Sequence, residues 1–281
     1  MSNSSLLSSS IAKKYWMAIT GLFLCLFLVG HLLGNLQLIL NTGEEGRKAF
    51  NEYAYFMGHN IFIKIMSYLT YASILFHAVD GILLAVQNRK ARPIKYAYSN
   101  PSANSSFSSR WMALLGSLIL VFLVTHMANF WWKMKISEEI PLHTYKVESE
   151  QKLSEDDLYV YHTSGSGNQI PVDRERVEEK ETSLYLKGSN LKLGEGYRDL
   201  HTVVMQFFKT ESNPRALIYL IVYVGSMLVL GFHLWHGFAS AFQSLGINHS
   251  KYNKLIKSTG YGFAVIVPLL FAIIPVIIFL N

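Results

Sequence analysis

Five runs of apolar residues, each long enough to cross a bilayer as a helix, divide this chain. They cover about 15–40, 61–87, 111–132, 216–242 and 260–280. A hydrocarbon core about 30 Å thick needs about twenty helical residues, and a helix closes its own backbone hydrogen bonds where no water can. The pattern predicts an all-α integral membrane protein of five transmembrane helices, one domain spanning 1–281. Four of the helices are expected to form a bundle. Polar residues dominate 133–213, which is expected as a long exterior loop inserted between the third and fourth helices. Within it, 157–161 and 183–187 are expected to form a small hairpin. The segment 199–208 reads as a short amphipathic helix that lays Val203, Val204, Phe207 and Phe208 on the membrane surface. The fifth run holds Pro268 and Pro275 but no ionisable side chain, and is expected as peripheral packing.

Composition agrees, with 51% hydrophobic and 16% charged residues in 281. The net charge of +6 has a plainer reading than nucleic-acid binding. Lys13 and Lys14 precede the first run. Arg89, Lys90, Arg92, Lys95 and Arg110 follow the second without an acid, and Lys251, Lys254 and Lys257 follow the fourth. The positive-inside rule then puts the N-terminus and these two connections in the cytoplasm and the C-terminus outside. The basic connections suit either anionic lipid or a docking face for soluble subunits. The long connection carries eleven Lys and Arg against fifteen Asp and Glu. Cys25 is the one cysteine, which excludes a disulfide framework, a cysteine-ligated iron–sulfur cluster and covalent haem. The first run is too long for a signal-peptide core and no small-residue cleavage site follows it.

Histidines inside the runs carry the candidate chemistry. His31, His77, His126 and His233 each lie about 15–17 residues into one of the first four runs. An ionisable group at that depth is costly and usually functional. Successive helices alternate in direction, so His31 and His126 fall nearer the outer face and His77 and His233 nearer the inner one. The two levels differ by roughly 10–15 Å. Two pairs at two depths are what two stacked bis-histidine haems need, and a four-helix bundle can hold them. Gly81 follows His77 by four residues and Gly237 follows His233 by four, so a flat ring can lie against bare backbone beside each imidazole. His236 is the rival to His233 as ligand. Interhelical hydrogen bonds, a zinc site and a histidine proton relay are the other readings of buried imidazoles.

Taken in order, these motifs resemble a known family. Gly30-His31, His77-Ala-Val-Asp-Gly81, His126, Phe232-His233-Leu-Trp-His-Gly237 and the closing Ala241-Phe-Gln-Ser-Leu-Gly246 are similar to the single-chain dihaem cytochrome b membrane subunit of succinate dehydrogenases and fumarate reductases. The resemblance implies two haems b, the outer ligated by His31 and His126 and the inner by His77 and His233. It implies menaquinone as electron partner, a flavoprotein and an iron–sulfur subunit docked on the cytoplasmic face, and residence in a bacterial cytoplasmic membrane. A quinone-site glutamate of the family falls near Glu52, with Glu44, Glu45 and His59 as other outer-side groups. Some fumarate-reducing relatives carry a proton-moving carboxylate where this chain has Gly231, and the long connection exceeds what the family's core requires. Asp80 is a membrane-depth acid on the inner side. Haem b subunits of hydrogenases or formate dehydrogenases, and a haem-free anchor or proton carrier, are the alternatives.

Overall fold

The computed structural model describes residues 9–91, 93–94, 100–137, 139–146, 159–164, 167–172 and 176–281. In chain order its helices are α1 Ser10–Leu40, α2 Gly43–His59, α3 Ile61–Lys90, α4 Pro101–Asn104, α5 Phe107–Arg110, α6 Met112–His126, α7 Trp132–Lys135, α8 Leu200–Phe208, α9 Ala216–Ser244 and α10 Ser250–Leu280. A π-helical turn, Met127–Trp131, joins α6 to α7 into one rod. Five helices are long and apolar enough to cross a membrane: α1, α3, the α6–α7 rod, α9 and α10. The protein is an all-α multi-pass membrane protein. Leu26, Leu114, Val121, Ile221, Leu228 and Leu269 point outward and exposed, as side chains facing hydrocarbon do.

Helix ends follow local chemistry. The Ser9 hydroxyl accepts from the Ala12 N–H to start α1, and the Asn60 side chain accepts from the Phe62 and Ile63 N–H groups to start α3. Gly43 turns the chain into α2 with a φ of 73°, a region that L side chains avoid. The connection between the first two spans is thus no loop but a 17-residue helix that buries Phe50 and Asn51. Lys251, Lys254 and Lys257 lie on the opening turns of α10 rather than in a loop. Arg89 and Lys90 end α3, while Arg92 and Lys95 lie outside the described residues.

The fifth span is not peripheral. Val267, Ile274 and Ile278 of α10 share one buried core with Leu32, Leu38, Phe50, Val204, Phe208 and Tyr223. Small residues let α9 and α10 close up: a Cβ on Gly231 would come 3.1 Å from the Ala264 carbonyl oxygen. Hydropathy could not reveal this, because lipid and protein neighbours are equally apolar. The same core overturns the surface role expected for α8. Val204 and Phe208 are buried in it and Phe207 packs against it, so this amphipathic face is spent on the bundle.

The rest of the long connection forms a lobe of two three-stranded antiparallel sheets. The first is β1 Thr144–Lys146, β2 Tyr159–His162 and β3 Gln169–Val172, in that order; the second is β4 Val177–Lys180, β5 Ser183–Leu186 and β6 Lys192–Glu195. The two segments expected to pair with each other are instead the central strands of separate sheets, and Asp157 and Leu158 lie outside the described residues. An isolated two-stranded hairpin is marginal, and each strand gains two flanking partners this way. Bridges Leu142–Arg198 and Thr163–Gly196 tie the sheets together over Leu142, Tyr161 and Leu184.

Candidate functional site: two facing imidazole pairs

The fold brings the four span histidines together in two pairs. The rings of His31 and His126 face each other at 5.9 Å between centroids, and those of His77 and His233 at 6.2 Å. A first-row metal takes an imidazole nitrogen at about 2 Å. Two trans imidazoles on one metal therefore have centroids about 6.3 Å apart, a separation both pairs approach. The pairs stand at different levels. Gly21 of α1 faces His77, and Gly116 of α6 faces His233. Tyr223 of α9 lies 5.9 Å from His126, centroid to centroid. On each helix ten residues separate these markers from the other level (Gly21 to His31, Gly116 to His126, Tyr223 to His233), which is about 15 Å of rise.

Gly81 and Gly237 present their bare faces to methionine side chains. Gly81 meets the Met17 methyl at 3.8 Å and Gly237 the Met112 methyl at 3.3 Å, measured from an added Cβ. Their bare faces are covered by the flexible ends of methionines. The backbone that lies against the imidazoles is across the interface: a Cβ on Gly21 would come 3.1 Å from His77 Cε1, and one on Gly116 3.5 Å from His233 Cε1. His236 is not in a ring pair; it lines a separate cavity between α9 and α10.

The sequence holds a signal for this that reading each run singly passes over. Trp16-Met17-Ala18, Gly21, Phe27-Leu28-Val29 and His31 recur at the same spacing as Trp111-Met112-Ala113, Gly116, Phe122-Leu123-Val124 and His126. Phe76-His77, Gly81, Ala85 and Gln87 recur as Phe232-His233, Gly237, Ala241 and Gln243. The helix pairs α1–α3 and α6–α9 thus share one sequence pattern, and each is called a copy of it below. Each imidazole pair joins equivalent positions of the two copies.

The copies differ in how they treat the rings' second nitrogens. Thr20 Oγ1 gives its proton to the Trp16 carbonyl oxygen at 2.7 Å and lies 3.3 Å from His77 Nδ1. A hydroxyl has one proton, so with it on the Trp16 carbonyl Thr20 can only accept from a protonated His77 Nδ1, the tautomer that the Met17 carbonyl also supports and that leaves the Nε2 lone pair free. The equivalent of Thr20 in the second copy is Leu115, and His233 Nδ1 is buried without a hydrogen bond. Asn35 donates to the His31 carbonyl oxygen at 2.7 Å and sits 3.5 Å from His31 Nδ1, too long to fix that tautomer. Its equivalent is Phe130, and His126 Nδ1 is likewise buried and unbonded.

Among the described residues no three His, Cys, Asp or Glu side chains are grouped to hold a metal. A zinc site built from protein alone needs such a group. A macrocycle that brings four donors of its own needs only two trans imidazoles, so the residues fit a bis-histidine haem at each pair. No family model, curated protein or solved structure matches this chain.

At the lobe end, polar groups missed by sequence reasoning lock the lobe to α2. Arg47 donates to Asp199 Oδ2 through Nε at 3.1 Å and Nη2 at 2.6 Å. Asn51 bridges Asp199 Oδ1 at 2.8 Å and His143 Nδ1 at 2.9 Å, and His143 Nε2 meets Glu44 Oε1 at 2.8 Å. Burial alone would raise the Asp199 pKa, but hydrogen bonds from Arg47, Asn51 and Thr202 offset it and hold it at about 2. Burial, then the Arg47 charge, lowers that of His143. Burial and the Lys48 charge take His162 down to about 4. Glu52 stands apart, half-exposed and 3.8 Å from Lys48. A cavity of about 180 Å³ nearby is lined by Tyr55, His59, Lys135, Glu181 and Arg198, but not by Glu52.

Proposed function

We propose that this chain is the dihaem cytochrome b membrane subunit of a bacterial succinate dehydrogenase or fumarate reductase. It would anchor a flavoprotein and an iron–sulfur subunit to the cytoplasmic membrane and pass electrons between them and menaquinone. The observation that carries the reading is the pair of facing imidazoles, repeated about 15 Å apart. His31 and His126 would hold one haem b, and His77 and His233 the other. When bound, the haems would supply one-electron carriers across a layer that is otherwise apolar. The chain's own part is to fix the rings: Thr20 and the Met17 carbonyl support the His77 tautomer, Gly21 and Gly116 let imidazoles approach backbone, and α10 shields His31 with Phe271 at 5.7 Å between ring centroids.

The basic helix ends would face the cytoplasm and the acidic lobe the exterior, with the N-terminus inside and the C-terminus outside. Arg89 and Lys90 would lie near the iron–sulfur subunit. Quinone reduction takes up protons, so an exchanging group must reach the quinone oxygen directly or through one water. Glu52 is the carboxylate the family resemblance offers, whereas His59 is the group that lines a cavity at that end. A reduced-minus-oxidised spectrum of the purified protein tests the reading. Two b-type centres, copurifying with succinate activity, are expected. No b-type signal from folded protein overturns it, and b-type centres copurifying with hydrogenase or formate dehydrogenase activity transfer it to that complex.

A further inference from the structure

The second cavity, at the basic end, has no part in the imidazole pairs. It is a half-open hollow of about 160 Å³ between α9 and α10, with Ser106 on one side. His236, Ser240 and Gln243 line it from α9, and Lys257 and Tyr261 from α10. On α9 these three lie at four- and three-residue intervals, so they share one face and run about 10 Å inward from the helix end. The stacked rings of Trp235 and Tyr261, 4.3 Å apart, form an aromatic wall. Such a gradient, from ammonium at the rim to aromatic at depth, matches the passage from head group to hydrocarbon.

The side chains of His236, Ser240, Gln243, Lys257 and Tyr261 form no hydrogen bond or ion pair among the described residues. His236 and Ser240 are half-buried within the hollow and Gln243, Lys257 and Tyr261 stand exposed around it, so five groups with donors face one space that a ligand can reach from outside. No acid lies in 212–281 or 81–137, so nothing on these helices competes for the Lys257 charge. The other copy of the helix pair has Asp80 where this one has His236, and α10 packs against its α1 rather than along the α3 that carries Asp80. The cavity is therefore a feature of one copy alone.

We propose that this cavity is a site for the phosphate group of an anionic phospholipid. Lys257 supplies the charge, and Ser240, Gln243 and Tyr261 donate hydrogen bonds to its oxygens. Basic pockets between transmembrane helices on the cytoplasmic side take anionic head groups on these terms.

Native mass spectrometry of the intact protein, released from phosphatidylcholine nanodiscs doped with phosphatidylglycerol, tests this. One phosphatidylglycerol should be retained in preference to phosphatidylcholine. Lys257→Gln should cut retention about tenfold, the loss of one charge-assisted hydrogen bond, and Lys257→Arg should restore it. Gln243→Leu should weaken it while both imidazole pairs remain intact by spectrum. Lys251→Gln and Lys254→Gln, exposed on the same helix, should change retention less than about twofold. Equal losses in those controls would mean diffuse attraction and overturn the site. Displacement by equimolar inorganic phosphate overturns the lipid assignment, and retention of menaquinone there in place of lipid overturns the phosphate assignment.

Discussion

The two helix pairs of this bundle, α1 with α3 and α6 with α9, are copies that have been finished differently. Both keep a methionine, a glycine and a histidine at fixed spacing on one helix, and Phe-His followed by glycine on the other. The first copy gives its imidazoles polar neighbours, Thr20 and Asn35. The second puts Leu115 and Phe130 at those places and leaves both Nδ1 atoms buried and unbonded. The first copy carries α2 and through it the β lobe. The second packs its α9 along α10 and lines the hollow between them. A shared frame sets where two imidazoles face each other, and the departures from it decide what surrounds each one.

The largest expected effect removes a ligand. His31→Ala and His126→Ala should each abolish the same one of two b-type centres, and His77→Ala and His233→Ala the other. Haem-to-protein stoichiometry should fall from two to one, while His236→Ala keeps two. Loss of different centres from His31→Ala and His126→Ala would break the pairing of equivalent residues.

Next comes the junction that only the first copy has. Asp199→Ala leaves the Arg47 guanidinium without its buried partner and should weaken the hold on the lobe by about 3 kcal/mol, read as protease sensitivity of 139–198. Acidification should act the same way. His143 and His162 have folded pKa values below the usual 6.5, about 4 for His162, so between those values the released form binds more protons. The junction is therefore firmest above pH 6.5 and loosens as pH falls toward 4. Asp199 adds a loss at lower pH, from its unfolded value near 3.8 down through about 2. Protection that is flat from pH 7 to 4 would remove the histidines from this role.

A smaller effect separates the two glycines. Gly21→Ala forces His77 to give way, since the new Cβ would stand 3.1 Å from the ring, whereas Gly116→Ala at 3.5 Å makes an ordinary contact. The first should broaden or weaken the spectrum of the His77 centre and the second should leave both centres as they are. Equal tolerance would mean that the copies are packed alike.

The smallest effect exchanges the polar neighbours. Thr20→Val removes one of the acceptors beside His77 Nδ1, makes the ring less basic and should raise the midpoint potential of its centre. Leu115→Thr should lower it by supplying the missing acceptor to His233. One hydrogen bond of about 1 kcal/mol corresponds to about 40 mV for one electron. Shifts of the same sign in a redox titration would sink the argument. On the quinone side, Glu52→Gln and His59→Gln should be compared for menaquinone-linked activity with dye-linked activity held constant. The cavity geometry expects the larger loss, about tenfold or more, in His59→Gln.

The sequence by itself determined the spans and the depth of the four imidazoles. Length, hydropathy and the alternation of helix direction are enough for that, because a bilayer imposes one thickness on every crossing. It also held the repeat, in stretches 95 residues apart for the first helix of each pair and 156 for the second, which must be laid side by side to be seen. Tertiary structure decided the rest. Only packing shows that Gly21 and Gly116 lie against the imidazoles of His77 and His233, since the contact is between helices. Only packing turns α10 from a lipid-facing span into part of the core, because an apolar side chain reads the same toward lipid and toward protein. Asp199, His143 and Asn51 meet from positions up to 148 residues apart. Buried polar groups must find one another whatever their distance in sequence, and no local pattern announces where they will.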